Sequence, residues 1–455
     1  MTRAVVLGGG FAGVLAAAAL AGLPGAPGAA DEVVVIEGDR YPAAPGPRRG
    51  LPQAHHSHVL VAGGARALAE LLPGALEELA ALGARRIGLP GDALILTAEG
   101  WFRRLDTAAY LVSCSRGLLD HVIRPRALAS GTITVRQGVT VTGLTGDAHR
   151  VTGVRVEECG REEVIRADLV VDATGRRSGA PRWLAELGMG EIPEQSVSSG
   201  LAYATRVYRA PDGLDAEMPA VMLHPRPSPG EPGRGATVYP IEGGRWIVTL
   251  TGTEGGRPPA DERGFEEFAR ALHDPIVAEL MAAATPLGRV RPYHDTANRR
   301  RFFERAGVPA GFVAVGDAVV AVNPIYSHGM SVAVLSALAI RSALARSGLD
   351  CAQTLRAAVA EAAETSWRMA VEQERGPDPA TPFQRQVRLR RTRAALASAE
   401  LAGEMFGRQT LLPDGAASRD RSWLLRVMSE PPGAPMTTGE AIRQFPRLSG
   451  WWPGR

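Results

Sequence analysis

The feature that most constrains how this 455-residue chain folds is a glycine pattern held between a strand and a helix near its start. Residues 4–7 form a short apolar run that reads as a buried strand. Residues 11–21 are alanine-rich and read as a helix, and residues 32–36 read as a second buried strand. Between the first strand and the helix stand Gly8, Gly10 and Gly13 in the spacing G-x-G-x-x-G, and Glu37 closes the second strand. Each position has a mechanical reason. Gly8 permits the tight turn, Gly10 lets backbone approach a pyrophosphate, and Gly13 lets the helix pack closely on the strand. The helix N-terminus offers about half a positive charge to that phosphate, and Glu37 would accept hydrogen bonds from ribose hydroxyls. Strand, turn, helix, strand and terminal acid in register predict one βαβ unit that binds a dinucleotide. The pattern alone does not choose between FAD and NAD.

At this length two or more substructures sharing one ligand are expected. Apolar residues at 45% and charged residues at 22% suit a folded globular chain and argue against disorder. The 51 basic and 48 acidic residues are too evenly matched to point to a nucleic-acid partner, and the run of Arg388, Arg390, Arg391 and Arg393 reads as a solvated helix face. Cys114, Cys159 and Cys351 are odd in number and lack metal or redox spacing, so no disulfide framework is expected and a reducing cytoplasm fits. Arg3 ahead of an apolar run resembles a signal peptide, but the glycines interrupt it. No charge-free stretch of transmembrane length is seen elsewhere, so the chain reads as soluble and unprocessed.

Residues 41–52 and 225–235, rich in Pro, Gly and Arg, are expected loops. From 132 to 156, β-branched residues alternate with turns, which predicts a small antiparallel element. Residues 169–171 then return as a core strand, and residues 201–208 and 239–251 predict a sheet forming the wall of a substrate chamber. Helical patterns dominate from Met330 onward.

Val313-Ala314-Val315-Gly316-Asp317-Ala318 is a strand that delivers a carboxylate to a turn, followed by Asn323-Pro324-Ile325-Tyr326-Ser327-His328-Gly329-Met330 and a new helix. This resembles the Gly-Asp motif of the flavin monooxygenases of the p-hydroxybenzoate hydroxylase fold. The resemblance implies that Asp317 holds the FAD ribitol and that Pro324, Gly329 and Met330 pass beneath the isoalloxazine. The helix N-terminus there would stabilise negative charge on the reduced ring. His328 stands where many aromatic hydroxylases of this fold carry Gln, which makes it the candidate catalytic side chain, for hydrogen-bonding the flavin or tuning the peroxide. Ser327 stands where they carry Gly and lacks glycine's access to positive φ. Residues 169–178, with Asp172 and Gly175, resemble the superfamily's middle motif, tied there to FAD and the nicotinamide donor. Residues 113–120 resemble the segment whose Arg, here Arg116, contacts the FAD pyrophosphate.

Further segments resemble the flavin epoxidases of polyether-ionophore biosynthesis, of monensin and lasalocid type. They are residues 49–58, Gly100-Trp101, residues 203–206, residues 238–246 and Asn298-Arg299-Arg300. With the flavin motifs they cover roughly residues 3–335. The implied cofactor set is Gly8, Gly10, Phe11, Ala12, Gly13, Glu37, Gly38, Arg49, Arg116, Val139, Asp172, Gly175, Gly316, Asp317, Pro324, Gly329 and Met330, with Tyr203, Tyr239 and Trp246 lining an apolar pocket. The implied architecture is α/β. A Rossmann-like FAD-binding domain (1–75, 106–182 and 290–345) interleaves with a β-sheet substrate domain (76–105 and 183–289), and residues 346–455 form a helical C-terminal region.

The implied activity is an FAD-dependent monooxygenase that draws electrons from NAD(P)H, directly or through a flavin reductase. It would add O₂ to give a flavin C4a-hydroperoxide and epoxidise alkenes of a large apolar polyketide intermediate. An aromatic-ring hydroxylase on the same fold and a geranylgeranyl-reductase-like flavin reductase remain open beside it. His55, His56 and His58 lack a carboxylate or Cys partner at ligand spacing and read as a substrate- or flavin-adjacent loop, not a metal site.

Overall fold

Valine and leucine fill the strand Arg3–Leu7 without alternation because the sheet it centres is packed between helices and a small antiparallel sheet, which share one core with it. The computed structural model describes residues 1–22, 30–48, 50–198, 200–214, 218–226, 232–349, 351–374, 381–413 and 421–452. In it, five parallel strands run in the order Phe312–Ala314, Leu169–Asp172, Arg3–Leu7, Glu32–Glu37 and Ile133–Gln137. Val5 lies opposite Val170 on one side and Val34 on the other. The helix Phe11–Ala21 packs on this sheet and against the helix Gly329–Ser347, which in turn meets Ala62–Leu71 and Ala352–Glu374. Gly329–Ser347 is long and apolar enough to cross a bilayer by composition alone, yet its apolar side chains are built into this core. The consequence for function is geometric. The glycine turn after Arg3–Leu7, Glu37 at the end of its neighbour and the turn after Phe312–Ala314 all open at one edge of the sheet, where α/β folds bind ligands.

The expected antiparallel element is shifted along the chain. Ile133–Gln137 is the edge strand of the parallel sheet, paired with Glu32–Glu37, and the three-stranded antiparallel sheet begins only at Thr140–Gly146, continuing through Val151–Glu158 and Arg161–Arg166. Alternation alone cannot distinguish an edge strand of one sheet from a strand of the next.

A second sheet of seven strands has the order Thr285–Tyr293, Ala202–Arg209, Arg245–Gly252, Arg234–Ile241, Ala220–Leu223, Ala93–Thr97 and Gly100–Trp101. Trp246, Tyr208 and Val248 point to one face, which the helices Glu262–Arg270 and Ile276–Ala283 cover together with Ile442, Phe445 and Trp452 from the C-terminus. Tyr239 and Ile247 point to the other face, under Leu396, Leu401 and Phe406. The rings of Phe102 and Phe406 stand 5.0 Å apart there. The C-terminal region therefore supplies part of the hydrophobic cover for both faces of this sheet.

Candidate functional site

Where the two sheets meet, a cleft of about 1080 Å³ runs from the glycine turn to the seven-stranded sheet. Gly8 adopts φ +91°, a conformation open to glycine, and its neighbour in space is the Ala173–Thr174 backbone. A Cβ on Gly13 would lie 1.8 Å from the Gly8 carbonyl oxygen, so Gly13 serves close packing and does not face the cleft. Gly10 precedes the first helical residue with nothing but Arg48 Nη2 within 4 Å of where its Cβ would stand, leaving the amides of the helix N-terminus open to a ligand.

Glu37 lines the cleft, but much of its accepting capacity is already engaged. Its carboxylate accepts from the Gly9 amide at 2.8 Å, the Asp39 amide at 2.8 Å and Arg48 Nη1 at 3.2 Å. Roughly one of a carboxylate's four acceptor sites then remains for a ribose hydroxyl. The Tyr41 hydroxyl donates to the Gly9 carbonyl at 3.0 Å, with the Arg124 guanidinium 4.1 Å from the centre of its ring. Burial, ahead of the nearby Glu37 charge, pushes the Tyr41 phenol up to about 12.

The distant segment converges on this turn. A Cβ on Gly316 would meet Ala12 Cβ at 2.8 Å, and one on Gly329 would lie 3.6 Å from Asp317 Oδ1. Asp317 faces the cleft without a hydrogen bond to any described residue. Burial raises its carboxyl above the usual range, and Arg176, Arg116 and Arg299 oppose the rise. Arg116 opens its helix, bonds Asp120 at 2.8 Å and lies 5.5 Å from the Phe11 ring. Phe11, Ala12, Gly38, Val139, Gly175, Pro324, Gly329 and Met330 also line the cleft. Ser327 adopts φ 57°, the left-handed conformation that glycine takes more easily. Arg49 lies outside the described residues.

Four expectations are corrected. Asp172 is fully buried under the cleft floor, where its carboxylate accepts from the Thr174 amide, the Thr174 hydroxyl and Ser178, so it shapes the turn and cannot reach a ligand. His328 is 3% exposed with both ring nitrogens engaged, Nδ1 with Ser366 Oγ at 3.0 Å and Nε2 with the Gln409 carbonyl at 2.8 Å. It fastens the start of its helix to the C-terminal region and does not line the cleft. Tyr239 and Trp246 lie in the two hydrophobic clusters on opposite faces of the sheet, away from the cleft. Only Tyr203 of the three aromatics lines it.

Tyr203 and the His56 loop line the cleft as expected, whereas Tyr293, Thr205, Glu374, Arg48 and Tyr41, which also shape it or brace its walls, were not singled out from the sequence. Tyr203 and Tyr293 stack at 5.1 Å between centroids and 23° between planes, and the His56 ring stands edge-on to both, at 4.8 and 5.4 Å. His56 Nδ1 bonds Thr205 Oγ1 at 2.9 Å, which joins Thr249 at 2.8 Å and through it Ser57. The buried Tyr203 hydroxyl has no hydrogen-bond partner among the described residues. Glu374, at the end of its long helix, accepts from Asn298 at 2.9 Å, Tyr326 at 3.0 Å and Asn323 at 3.4 Å, bracing the turn at 324–326 from behind. Arg48 and Tyr41 carried the one available signal, a basic and aromatic residue in a glycine-rich loop. The described residues hold no group of three His, Cys, Asp or Glu placed for a metal ion.

Burial, then the charges of His58, His55 and Arg291, pushes the His56 imidazole down to about 3, and burial pushes His58 down to about 4. Both are neutral in the fold, whereas an unfolded chain protonates them near 6.5. Stability from a lowered His is full above that value and is lost as pH falls below it, toward the folded value. Between pH 7 and pH 5, His56 alone is expected to cost about 2 kcal/mol. Denaturant unfolding across this range should show a shallower pH slope for His56→Gln than for the native chain, and equal slopes would refute the neutral buried imidazole.

No family model matches the chain. Protein Rv3254 of Mycobacterium tuberculosis (strain ATCC 25618 / H37Rv) is 34% identical over 389 residues, covering 81% of this chain and 79% of that protein. Among solved structures, p-nitrophenol 4-monooxygenase PnpA from Pseudomonas putida DLL-E4 matches with a TM-score of 0.63 and 20% identity over 90% of this chain and 99% of its own. Flavin-dependent brominase Bmp2 matches with a TM-score of 0.59 and 19% identity over 94% of this chain and 93% of its own. The architecture is thus the expected one, a Rossmann-like domain with a β-sheet domain and a helical C-terminal part. The chain belongs to the family of the M. tuberculosis protein Rv3254, built on the fold that PnpA and Bmp2 share.

Proposed function

We propose that the chain binds FAD and acts as a flavin-dependent monooxygenase. The observation that carries this reading is the convergence of an open helix N-terminus, Glu37 and the Asp317 carboxyl, which no described residue hydrogen-bonds, on one elongated cleft. These residues fit the group chemically. The amides after Gly10 and the Arg116 guanidinium would hold the pyrophosphate, Glu37 a ribose, and Asp317 the ribityl hydroxyls. The helix beginning at Gly329, whose first residues line the cleft beside Asp317, would set its positive end toward the pyrimidine edge. FAD, when bound and reduced by NAD(P)H directly or through a reductase, supplies the activation of O₂. The protein's share is to exclude water and orient the acceptor, and the Tyr203–Tyr293 wall fits both tasks.

The acceptor proposed first is an alkene of a large apolar natural-product intermediate, which the cleft volume and the epoxidase-like segments favour. A second reading, hydroxylation of an aromatic ring, is favoured by the stacked tyrosines, which present a flat surface for another ring. PnpA is named a monooxygenase and Bmp2 a brominase, so the fold accommodates more than one outcome and the assay must distinguish them. The purified chain should be yellow and release FAD on heating, and Asp317→Ala should retain about tenfold less, one charge-assisted hydrogen bond's worth. With NADPH, a reductase and O₂, a polyene should gain one oxygen atom with loss of an alkene, whereas a phenol should gain one with its ring retained. Turnover without O₂ that saturates the alkene would replace oxygenation by reduction. A colourless protein that takes up no added FAD would sink the whole reading.

A further inference from the structure

Beside the main cleft lies a second cavity of about 630 Å³, and Arg48, Pro52, His56 and Tyr293 belong to the walls of both. Its far wall is the edge strand Thr285–Tyr293, whose Arg289 and Arg291 both line it. His55 faces them from the 3₁₀ turn Pro52–His55.

The charge of this cavity is not neutralised from within. Neither Arg289 nor Arg291 forms a hydrogen bond or ion pair with a described residue. The single carboxylate in the wall among the described residues, Glu262, is engaged by Arg206 at 3.0 Å. Arg48 spends its Nη1 on Glu37 and keeps a buried Nε without a partner among the described residues. The His55 imidazole registers the resulting field. Burial, followed by Arg291 and then Arg289, holds it below its ordinary value. Unpaired guanidinium groups gathered in a concave wall are the chemistry that recognises phosphate or carboxylate through charge-assisted, often bidentate hydrogen bonds. The remaining lining, Val290, Pro292 and the Tyr293 ring, leads an attached apolar or flat group toward the main cleft.

We propose that this vestibule is an anion-binding site for the phosphate or carboxylate group of a small molecule whose remainder passes Tyr293 into the main cleft. The group belongs either to the nicotinamide donor, as its 2′-phosphate, or to the acceptor substrate. Both offer the same chemistry to Arg289 and Arg291. The assignment stands on the cavity's own charges and is independent of FAD.

The test titrates the full-length purified chain, saturated with FAD where it takes FAD up, with inorganic phosphate at low ionic strength by calorimetry. The Arg289→Gln/Arg291→Gln double variant should bind phosphate at least about tenfold more weakly, and Arg289→Lys/Arg291→Lys should recover part of the loss. Thermal unfolding verifies that the variants are folded, and the bound-FAD ratio reports the flavin reading separately. Native protein that binds no phosphate, or a folded Gln variant that binds it as well as native protein, overturns the proposal. Where phosphate binding depends on the arginines, the KM for NADPH and for NADH assigns the source. A rise for NADPH alone assigns the donor's phosphate, and no change for either donor assigns the acceptor's anionic end.

Discussion

Gly13→Ala is expected to leave little folded protein. The added methyl would lie 1.8 Å from the Gly8 carbonyl oxygen and 2.9 Å from its carbon, both backbone atoms of the turn the cleft depends on. No rotamer can relieve that overlap. The helix Phe11–Ala21 would have to lift off the strand Arg3–Leu7, and both elements are buried along nearly their whole length. In so tightly packed a core the cost should exceed about 4 kcal/mol, a large share of a typical domain's stability. Gly10→Ala is the informative contrast. Its methyl meets only Arg48 Nη2, at 3.7 Å, and the native φ of −72° suits alanine. That variant should unfold within about 3 °C of the native chain, since a cost below 1 kcal/mol shifts a large domain little. It should nevertheless lose FAD, because the methyl occupies the space in front of the helix amides. Thermal unfolding paired with FAD content separates the two effects. A Gly13→Ala protein as stable as the native one would refute the close-packing role.

Trp246→Ala should destabilise by about 3 kcal/mol, at the low end of the range for removing a buried Trp. The side chain is 1% exposed among Tyr208, Phe265 and the C-terminal Phe445 and Trp452 cluster, so truncation leaves a cavity bounded by three separate elements. The offset is the indole N–H, which is buried without a hydrogen-bond partner among the described residues and whose desolvation is recovered when it is removed. Trp246→Phe therefore keeps most of the apolar contact while removing the unsatisfied donor, and should fall within about 1 kcal/mol of the native chain. Both variants should retain FAD, since Trp246 does not line the cleft. Denaturant unfolding checks the ranking. Loss of FAD from a folded Trp246→Phe protein would return Trp246 to the pocket.

What could be read from the residues alone was local. The strand, glycine turn, helix and Glu37 lie within 37 positions of the start, and their spacing encodes backbone geometry without reference to the rest of the chain. Asp317 was legible for the same reason, since a strand ending in a carboxylate places it at the edge of the sheet. Which of Tyr203, Tyr239 and Trp246 would line the cleft was not legible, and of the three expected there only Tyr203 does. All three sit in strands of one sheet, and their surroundings depend on which helices cover each face and where the other domain abuts it. His328 shows the same limit at a single side chain. Its place at the head of a helix is written locally, but its direction is decided by Ser366 and Gln409, 38 and 81 residues further on. Local spacing determines where the backbone turns. The partner of a buried polar ring is chosen by long-range packing, because an imidazole taken out of water must find its hydrogen bonds wherever the tertiary fold supplies them.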